Sequence, residues 1–143
     1  MEKWEENEIK KEYLNGYRKA KRREKRLLEQ IQQLRLDKMF PCLQNDDMPH
    51  AHNQADLSDY AVQLDNLMNE LENERLESVR QYEKIYRDIN RLKNETEIEV
   101  LVRRYIKGEK WEKIALEIGY DYRYTLKIHG CALENFHISE RGH

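Results

Sequence analysis

Apolar residues in this sequence recur at alternating three- and four-residue steps, in stripes too narrow to fill a thick globular core. The first stripe comprises Tyr13, Tyr17, Ala20, Leu27, Ile31 and Leu34, and only Glu24 interrupts it. This period places residues on one face of an α-helix, so we predict a helix over 5–36 within an N-terminal segment 1–36. Charged residues make up 38% of the chain, the same share as apolar residues. That balance is typical of long, solvent-exposed helices, and it predicts an all-α fold.

A second stripe follows a break in the pattern. Residues 37–55 contain both prolines and no helical period, so we predict a loop or linker there. In segment 56–93 the period returns at Leu57, Tyr60, Leu64, Leu67 and Leu71, and then at Tyr82, Ile85, Ile89 and Leu92. A helix over 58–93 would be about 54 Å long and could not bury its own apolar face. We expect it to pair with helix 5–36 as a coiled-coil hairpin, with a second copy of the chain, or with both.

Shorter helical units follow in segment 94–137, before a tail at 138–143. Asn94 is a candidate cap for a helix that ends at Gly108, and further helices are predicted over 111–118 and 122–136. Gly119 falls where the chain must turn, and Asp121 is placed to cap the helix that follows. The small Ala115 allows close crossing of two helices, and Thr125, Ile128 and Ala132 are predicted to face inward on the second of them. This spacing predicts a trihelical helix-turn-helix domain whose second helix, 122–136, enters the major groove of DNA.

Two groups of residues in this segment are candidates for contacts with DNA. Residues 101–130 carry seven Lys or Arg against four Asp or Glu, a local excess that favours a nucleic-acid partner. The predicted base-facing positions on the outside of helix 122–136 are Tyr122, Arg123, Tyr124 and Lys127. The predicted phosphate-side positions are Arg103, Arg104, Lys110, Trp111, Lys113 and Asp121. Arg and Lys side chains can bond to guanine edges or to phosphates, and the start of a helix suits a phosphate.

The stretch "RYIKGEKWEKIALEIGYDYRYTLKIHGCALENF" resembles region 4 of bacterial sigma factors, over about residues 97–136. It shares the turn glycine, a polar capping residue, and the run formed by Ile128, Ala132 and Leu133. It is still more similar to small Gram-positive phage and prophage proteins with such a tail, including ArpU-like late-operon transcriptional regulators. Their typical middle resembles "DMPHAHNQADLSDYAVQLDNL" here.

The resemblance implies a DNA-binding transcriptional regulator of phage or prophage genes, with RNA polymerase as a further candidate partner. Promoter-contacting positions of the family fall on Tyr122, Arg123 and Lys127. At Leu126 and His129 this chain departs from the basic and acidic residues common in sigma factors, so the resemblance implies no particular base preference.

Two alternatives remain open from the sequence. The trihelical unit can instead serve a helical adaptor that binds RNA polymerase or another protein, or it can pair protomers. The run "KAKRREKR", from Lys19 to Arg26, can follow a phosphate backbone or form the solvated back of a coiled coil. Pairing of protomers through the helical arm is expected, because a single short recognition helix contacts few base pairs.

The sequence gives little support for other classes of function. A His-rich cluster in the loop, made of Cys42, Asp46, Asp47, His50 and His52, has no zinc-binding spacing, so no metal site or cofactor is expected. No nucleophile–base pair or phosphate loop is present, so we expect no enzyme. The two cysteines form no framework, and no apolar run reaches the ~20 residues of a membrane span. We therefore expect a cytoplasmic protein.

Overall fold

The computed structural model describes residues 1–39 and 54–139, with backbone only at Gln54 and Ala55. Within these ranges every regular element is helical, which confirms the predicted all-α class. The elements are α1 (Lys3–Leu14), α2 (Gly16–Met39), α3 (Gln54–Ile89), α4 (Glu95–Leu101), a π-helical segment (Val102–Ile106), α5 (Trp111–Ile118) and α6 (Tyr122–Asn135). None of the helices in the described ranges is long and apolar enough to cross a membrane.

The predicted single helix 5–36 is wrong in one respect, because it is divided at Asn15 into α1 and α2. Asn15 has φ −76° and ψ −5°, and the amide of Lys19 still donates to its carbonyl at 3.0 Å. The break precedes Gly16, where an added Cβ would lie 2.6 Å from the Gln81 side-chain oxygen. A glycine, which costs about 1 kcal/mol inside a helix, therefore leaves room for the side chain of α3 beside it.

The chain forms two compact units. One contains Met1–Ala20 together with the residues from Ser78 onward, and the other contains Lys21–Glu77. The boundary falls within α2 and within α3, so the first unit joins two separate stretches of the sequence and the second is one continuous stretch. Each unit has its own packing, described separately below.

In the Lys21–Glu77 unit, hereafter the hairpin unit, α2 contacts α3 in antiparallel order. Arg23 pairs with Glu74 at 3.1 Å and Glu24 with Arg75 at 3.3 Å, whereas the Lys38 ammonium lies over the Tyr60 ring. Successive residues along α2 therefore contact residues of decreasing number along α3, as in an antiparallel pair. Ile31 and Leu71, which belong to the two predicted apolar stripes, are buried as expected. Leu57 departs from the prediction, because it is 51% exposed.

The other unit, hereafter the terminal unit, contains Met1–Ala20 and the residues from Ser78 onward. It is organised around one apolar cluster. Its buried members are Leu14, Ile85, Ile89, Leu92, Leu101, Tyr105, Ala132, Leu133 and Phe136. Three residues of the second predicted apolar stripe of α3, Ile85, Ile89 and Leu92, are therefore covered within the chain and cannot pair protomers as expected. The fourth, Tyr82, is 40% exposed. Helix α3 also ends at Ile89 rather than at 93, in a turn closed by the Leu92 amide on the Ile89 carbonyl.

Polar contacts fasten α1 to the rest of the terminal unit. The Lys10 ammonium donates to the Leu133 carbonyl at 2.7 Å, and Lys3 pairs with Glu134 at 2.6 Å. The positive charge of Lys10 at the Leu133 carbonyl suits the negative end of the α6 dipole. Both bonds reach the last turn of α6 from the N-terminal end of the chain.

Two neighbouring residues of α5 test where the core ends. Ile114 is fully buried and Leu116 is 82% exposed. We expect Ile114→Ala to lower the free energy of unfolding by about 2–5 kcal/mol, because it leaves a cavity. The matched Leu116→Ala variant should change it by no more than about 0.5 kcal/mol. Urea unfolding followed by circular dichroism measures both, and equal losses would contradict the orientation of α5.

Candidate nucleic-acid interface

A three-residue turn separates α5 from α6. Gly119 adopts φ 78° and ψ 26°, the left-handed region that only glycine enters at little cost. The amides of Gly119 and Tyr120 both donate to the Ala115 carbonyl, at 3.0 and 3.2 Å. Asp121 then begins α6, and its carboxylate accepts from the Tyr124 amide at 2.7 Å. The glycine turn and the aspartate cap are thus both formed as the sequence predicts.

The inner face of α6 is set by four buried residues: Thr125, His129, Ala132 and Leu133. Thr125 and Ala132 were predicted to face inward, and the Thr125 hydroxyl also donates to the Asp121 carbonyl at 2.8 Å. Ile128, predicted inward too, is only half-buried. Burial along one side fixes the rotation of α6 about its axis, and therefore which residues it presents outward.

The outward face carries the predicted base-facing residues. Tyr122 is 45% and Tyr124 is 47% exposed, and Arg123 and Lys127 are exposed as well. Neither cation forms an ion pair with any residue in the described part of the chain. One turn further on, a Cβ added at Gly130 would meet nothing within 4 Å. The N-terminal half of α6 is thus an accessible surface of two cations and two phenols.

Arg103, predicted on the phosphate side, is held by carboxylates instead. It donates to Glu99 at 2.9 Å and to Glu109 at 3.2 Å, and Glu117 lies 3.9 Å away. Its side chain is only 17% exposed. These contacts link α4, the segment before α5, and α5 itself. A guanidinium so engaged stabilises the fold and has little capacity left for a phosphate.

Arg104 and Trp111 also serve packing. The Arg104 guanidinium lies 4.6 Å from the centre of the Trp111 ring and donates to the Glu109 carbonyl at 3.1 Å. Trp111 also contacts His129, with ring centroids 4.6 Å apart. Trp111 therefore joins a cation–π contact to a buried histidine.

The other phosphate-side candidates divide by charge and exposure. Lys110 immediately precedes α5 and is exposed. Lys113 is also exposed and makes only a distant contact, 3.9 Å, with Glu109. Asp121 is negatively charged and caps α6, so its carboxylate would repel a phosphate. Lys110 and Lys113 are the members of this group with the most freedom to contact an anion.

His129 was not predicted to be a core residue. Its Nε2 lies 2.7 Å from the Tyr105 hydroxyl, and the two rings stack at 5.7 Å. Burial, together with the nearby charges of Lys11 and Arg104, lowers the pKa of His129 to about 4. Burial also raises the pKa of Tyr105 to about 12. The signal was present in the sequence, because His129 lies four residues after Thr125 and three before Ala132, on the inward stripe.

The π-helical segment Val102–Ile106 positions Arg103, Arg104 and Tyr105. The Lys107 amide donates to the Val102 carbonyl at 3.0 Å, and the Glu109 amide to the Arg103 carbonyl at 2.9 Å. One wide turn therefore carries Arg103, Arg104 and the buried Tyr105. Such turns are rare and frequently occur at functional sites. The regular three- and four-residue steps used to read the sequence could not reveal it.

A cleft of about 460 Å³ adjoins the outward face of α6. It lies between the start of α4 and α6, and its walls include Glu97, Tyr120, Tyr124, Lys127 and Cys131. The Tyr120 and Tyr124 rings pack together at 4.8 Å. Glu97 is itself engaged, because it accepts from the Asn135 amide group at 2.9 Å. The cleft thus has aromatic walls and charges of both signs.

Comparisons of this chain with protein-family models, with curated proteins and with solved structures return no match. The loop residues considered as a metal cluster, from Cys42 to His52, lie outside the described residues. Within the described ranges, no group of three or more His, Cys, Asp or Glu side chains is arranged to hold a metal ion.

Two glycines test the turn. Gly119→Ala adds a methyl group in open space, so its cost is that of the left-handed backbone, about 1 kcal/mol of unfolding free energy. Gly130→Ala, in the helical interior and equally open, should stabilise by up to about 1 kcal/mol. Thermal and urea unfolding of both variants supply the measurement. Stabilisation by Gly119→Ala would show that the turn is not left-handed.

Because His129 is buried, we expect the free energy of unfolding to depend on pH. The folded pKa of His129, about 4, lies below its ordinary value of 6.5, so between these pH values the unfolded chain binds a proton that the folded chain does not. The His129 contribution is therefore complete above about pH 6.5 and is lost as the pH falls to about 4, on the order of 3 kcal/mol. His129→Gln should flatten this part of the stability profile relative to wild type.

His137, which is exposed, supplies the matched control for this measurement. His137→Gln should retain the wild-type slope of unfolding free energy against pH over the same interval. An unchanged slope in His129→Gln would mean that His129 is protonated in the folded protein as readily as in the unfolded chain.

Proposed function

We propose that this protein is a sequence-specific DNA-binding transcriptional regulator that inserts α6 into the major groove through a helix-turn-helix formed by α5 and α6. The observation that carries the proposal is the division of α6 into two faces. One face is buried through Thr125 and His129. The other leaves Arg123 and Lys127 exposed and without ion-pair partners among the described residues. A rigidly held helix with free cations near its N-terminus is what major-groove recognition requires.

The side chains on that face suit duplex DNA. Arg123 can donate two hydrogen bonds to the O6 and N7 atoms of guanine, and Lys127, one turn further, can reach a neighbouring guanine or phosphate. The phenols of Tyr122 and Tyr124 can donate to phosphates, and their rings can pack on thymine methyl groups. The bare surface at Gly130 allows close approach of the duplex to the middle of the helix.

Few phosphate contacts accompany this face. Lys110 and Lys113, near the start of α5, are the best anchors, because Arg103 and Arg104 are engaged in the fold. With about two or three phosphate contacts per protomer, the logarithm of the affinity should fall with the logarithm of salt concentration with a slope near −2 to −3 per protomer. Base contacts and pairing of protomers would then have to supply much of the affinity.

The proposed target genes rest on the resemblance alone. Similarity to sigma region 4 and to ArpU-like regulators supports promoter-like DNA and a role in controlling phage or prophage genes. It also makes RNA polymerase a candidate partner. None of the three comparisons adds to this support.

A second function is favoured by the surface beside α6. Leu116 is 82% exposed, and the cleft is walled by Tyr120 and Tyr124. Exposed aromatic and aliphatic side chains are typical of protein contacts. The alternative is therefore a helical adaptor that binds RNA polymerase or another protein without reading a DNA sequence.

Selection of bound duplexes from a random library, followed by mutation of the outward face, tests the proposal. We expect enrichment of a defined motif at moderate salt. Arg123→Ala combined with Lys127→Ala should weaken binding to that motif by at least about 30-fold, since each lost base contact costs about 1–3 kcal/mol. The helical circular dichroism spectrum should stay unchanged, because both side chains are exposed.

The control removes two positive charges elsewhere in the same unit. Arg87 and Lys93 are exposed and lie outside α5 and α6, so Arg87→Ala with Lys93→Ala should retain specific binding. Equal losses in the two double variants would indicate non-specific attraction. Absence of any enriched motif would support the adaptor.

A further inference from the structure

An arginine from the first turn of α2 lies against the chain just before α5. A Cβ built on Gly108 would lie 2.5 Å from the Cζ and Nε atoms of Arg18 and 2.7 Å from its Nη2 atom. Real Cβ atoms essentially never approach other atoms so closely. The guanidinium of Arg18 therefore occupies the space that any side chain at position 108 would fill, and glycine permits this close approach.

The guanidinium of Arg18 has no partner in the described part of the chain, where it forms neither a hydrogen bond nor an ion pair. Glu109 is the residue next to Gly108, but Arg103 donates to both of its carboxylate oxygens, each at 3.2 Å. The Arg18 side chain is half-buried, so packing restrains it while the protein leaves its donors unused. A planar guanidinium with several N–H donors suits a phosphate or a carboxylate.

Two further cations flank Gly108 along the chain. Lys107 precedes it, and Lys110 follows two residues later, immediately before α5. Both lysines are exposed and have no ion pair among the described residues. Because consecutive Cα atoms are about 3.8 Å apart, the Cα atom of Lys110 lies at most about 7.6 Å from that of Gly108.

Arg18, Lys107 and Lys110, hereafter the Arg18 patch, thus bring three positive charges close together. The carboxylate that stands among them along the chain, that of Glu109, is already bound by Arg103. Like charges at this distance repel each other, and an anion bound at the patch would relieve the repulsion.

The surroundings of the patch favour a phosphate backbone over an acidic protein surface. Residues 14–22 and 102–115 contribute none of the large exposed apolar side chains. Protein interfaces have an apolar centre in which charged residues are depleted, whereas interfaces with DNA are polar and strongly positive. A charged surface with no apolar centre is therefore suited to DNA.

We propose that Arg18 is a phosphate-binding residue of the helix-turn-helix, supplied by α2 and held in place against Gly108. The inference rests on the proposed function, because insertion of α6 brings the DNA backbone to Lys110 at the start of the adjoining α5. Arg18 then donates to a phosphate beside the one that Lys110 contacts. Together with Lys110 and Lys113 it makes three phosphate contacts, for which the salt slope is about −2.7 per protomer.

Arg18→Gln tests the contact, because glutamine keeps most of the side-chain stem and lacks the charge. Fluorescence anisotropy measures the affinity for two duplexes, the enriched motif and an arbitrary sequence, at about 50 and 200 mM salt. Wild type should lose about 40-fold in affinity over this interval and Arg18→Gln only about 12-fold, since one fewer counterion is released. The matched control, Arg87→Gln, removes another exposed arginine of the terminal unit and should behave as wild type.

The close approach to Gly108 predicts that the two positions are coupled. Gly108→Ala places a methyl group where the guanidinium lies, so it should weaken duplex binding as much as Arg18→Ala does. In the Arg18→Ala background, Gly108→Ala should have no further effect on affinity, because the guanidinium is then absent. Additive losses would contradict the coupling. Circular dichroism establishes that each variant is folded at the assay temperature.

The outcomes separate this inference from the proposed function. If Arg123→Ala with Lys127→Ala abolishes motif binding while Arg18→Gln keeps the wild-type salt dependence, α6 recognises DNA and the Arg18 contact is overturned. That result would assign the patch to an acidic protein surface. Equal changes in Arg18→Gln and Arg87→Gln would also overturn it, because net charge alone would explain them.

The arbitrary duplex keeps the test decisive when no motif is enriched. A weaker salt dependence of Arg18→Gln on that duplex would support the phosphate contact and overturn only sequence-specific recognition. If wild type binds neither duplex at the lower salt concentration, both proposals are overturned.

Discussion

Burial of the C-terminal half of α6 is the contact on which the terminal unit depends. Leu133 and Phe136 lie in the apolar cluster with Leu14 of α1 and Ile89 of α3. Lys10 adds a hydrogen bond to the last turn of α6. Segments from both ends of the sequence thus meet on one short helix. These contacts involve the end of α6. In its first half Thr125 is buried, and Tyr122, Arg123, Tyr124 and Lys127 remain exposed.

The same division sorts the basic residues around α6. Arg103 and Arg104 belong to the fold, since one is surrounded by three carboxylates and the other lies on Trp111. Arg123, Lys127 and the lysines near the start of α5 are exposed. Counting positive charge along the sequence treats all of these alike. Only their neighbours distinguish a cation that stabilises the protein from one that can bind a partner.

Much of the helical organisation could be predicted from the spacing of apolar residues and from the glycine and capping residues at helix ends. Gly108, Gly119 and Asp121 begin or end helices where the sequence predicts, and α5 and the start of α6 coincide with the predicted bounds. These features are local, because a left-handed glycine or a capping carboxylate acts within a few residues. The break at Asn15 depends on non-local packing, and the π-helical turn depends on altered backbone hydrogen bonding. Neither could be predicted from the spacing of apolar residues.

The face that a residue occupies was harder to predict than the helix that carries it. His129 looked like a departure from a surface position, but its hydrogen bond to Tyr105 makes it a neutral core residue. The Tyr82–Leu92 stripe was expected to pair protomers, yet the chain covers its residues Ile85, Ile89 and Leu92 internally.

Both errors arise because a periodic stripe shows that a face is covered and not what covers it. In the hairpin unit the pairings of Arg23 with Glu74 and of Glu24 with Arg75 supply that missing information, because they show that α3 covers this stripe of α2.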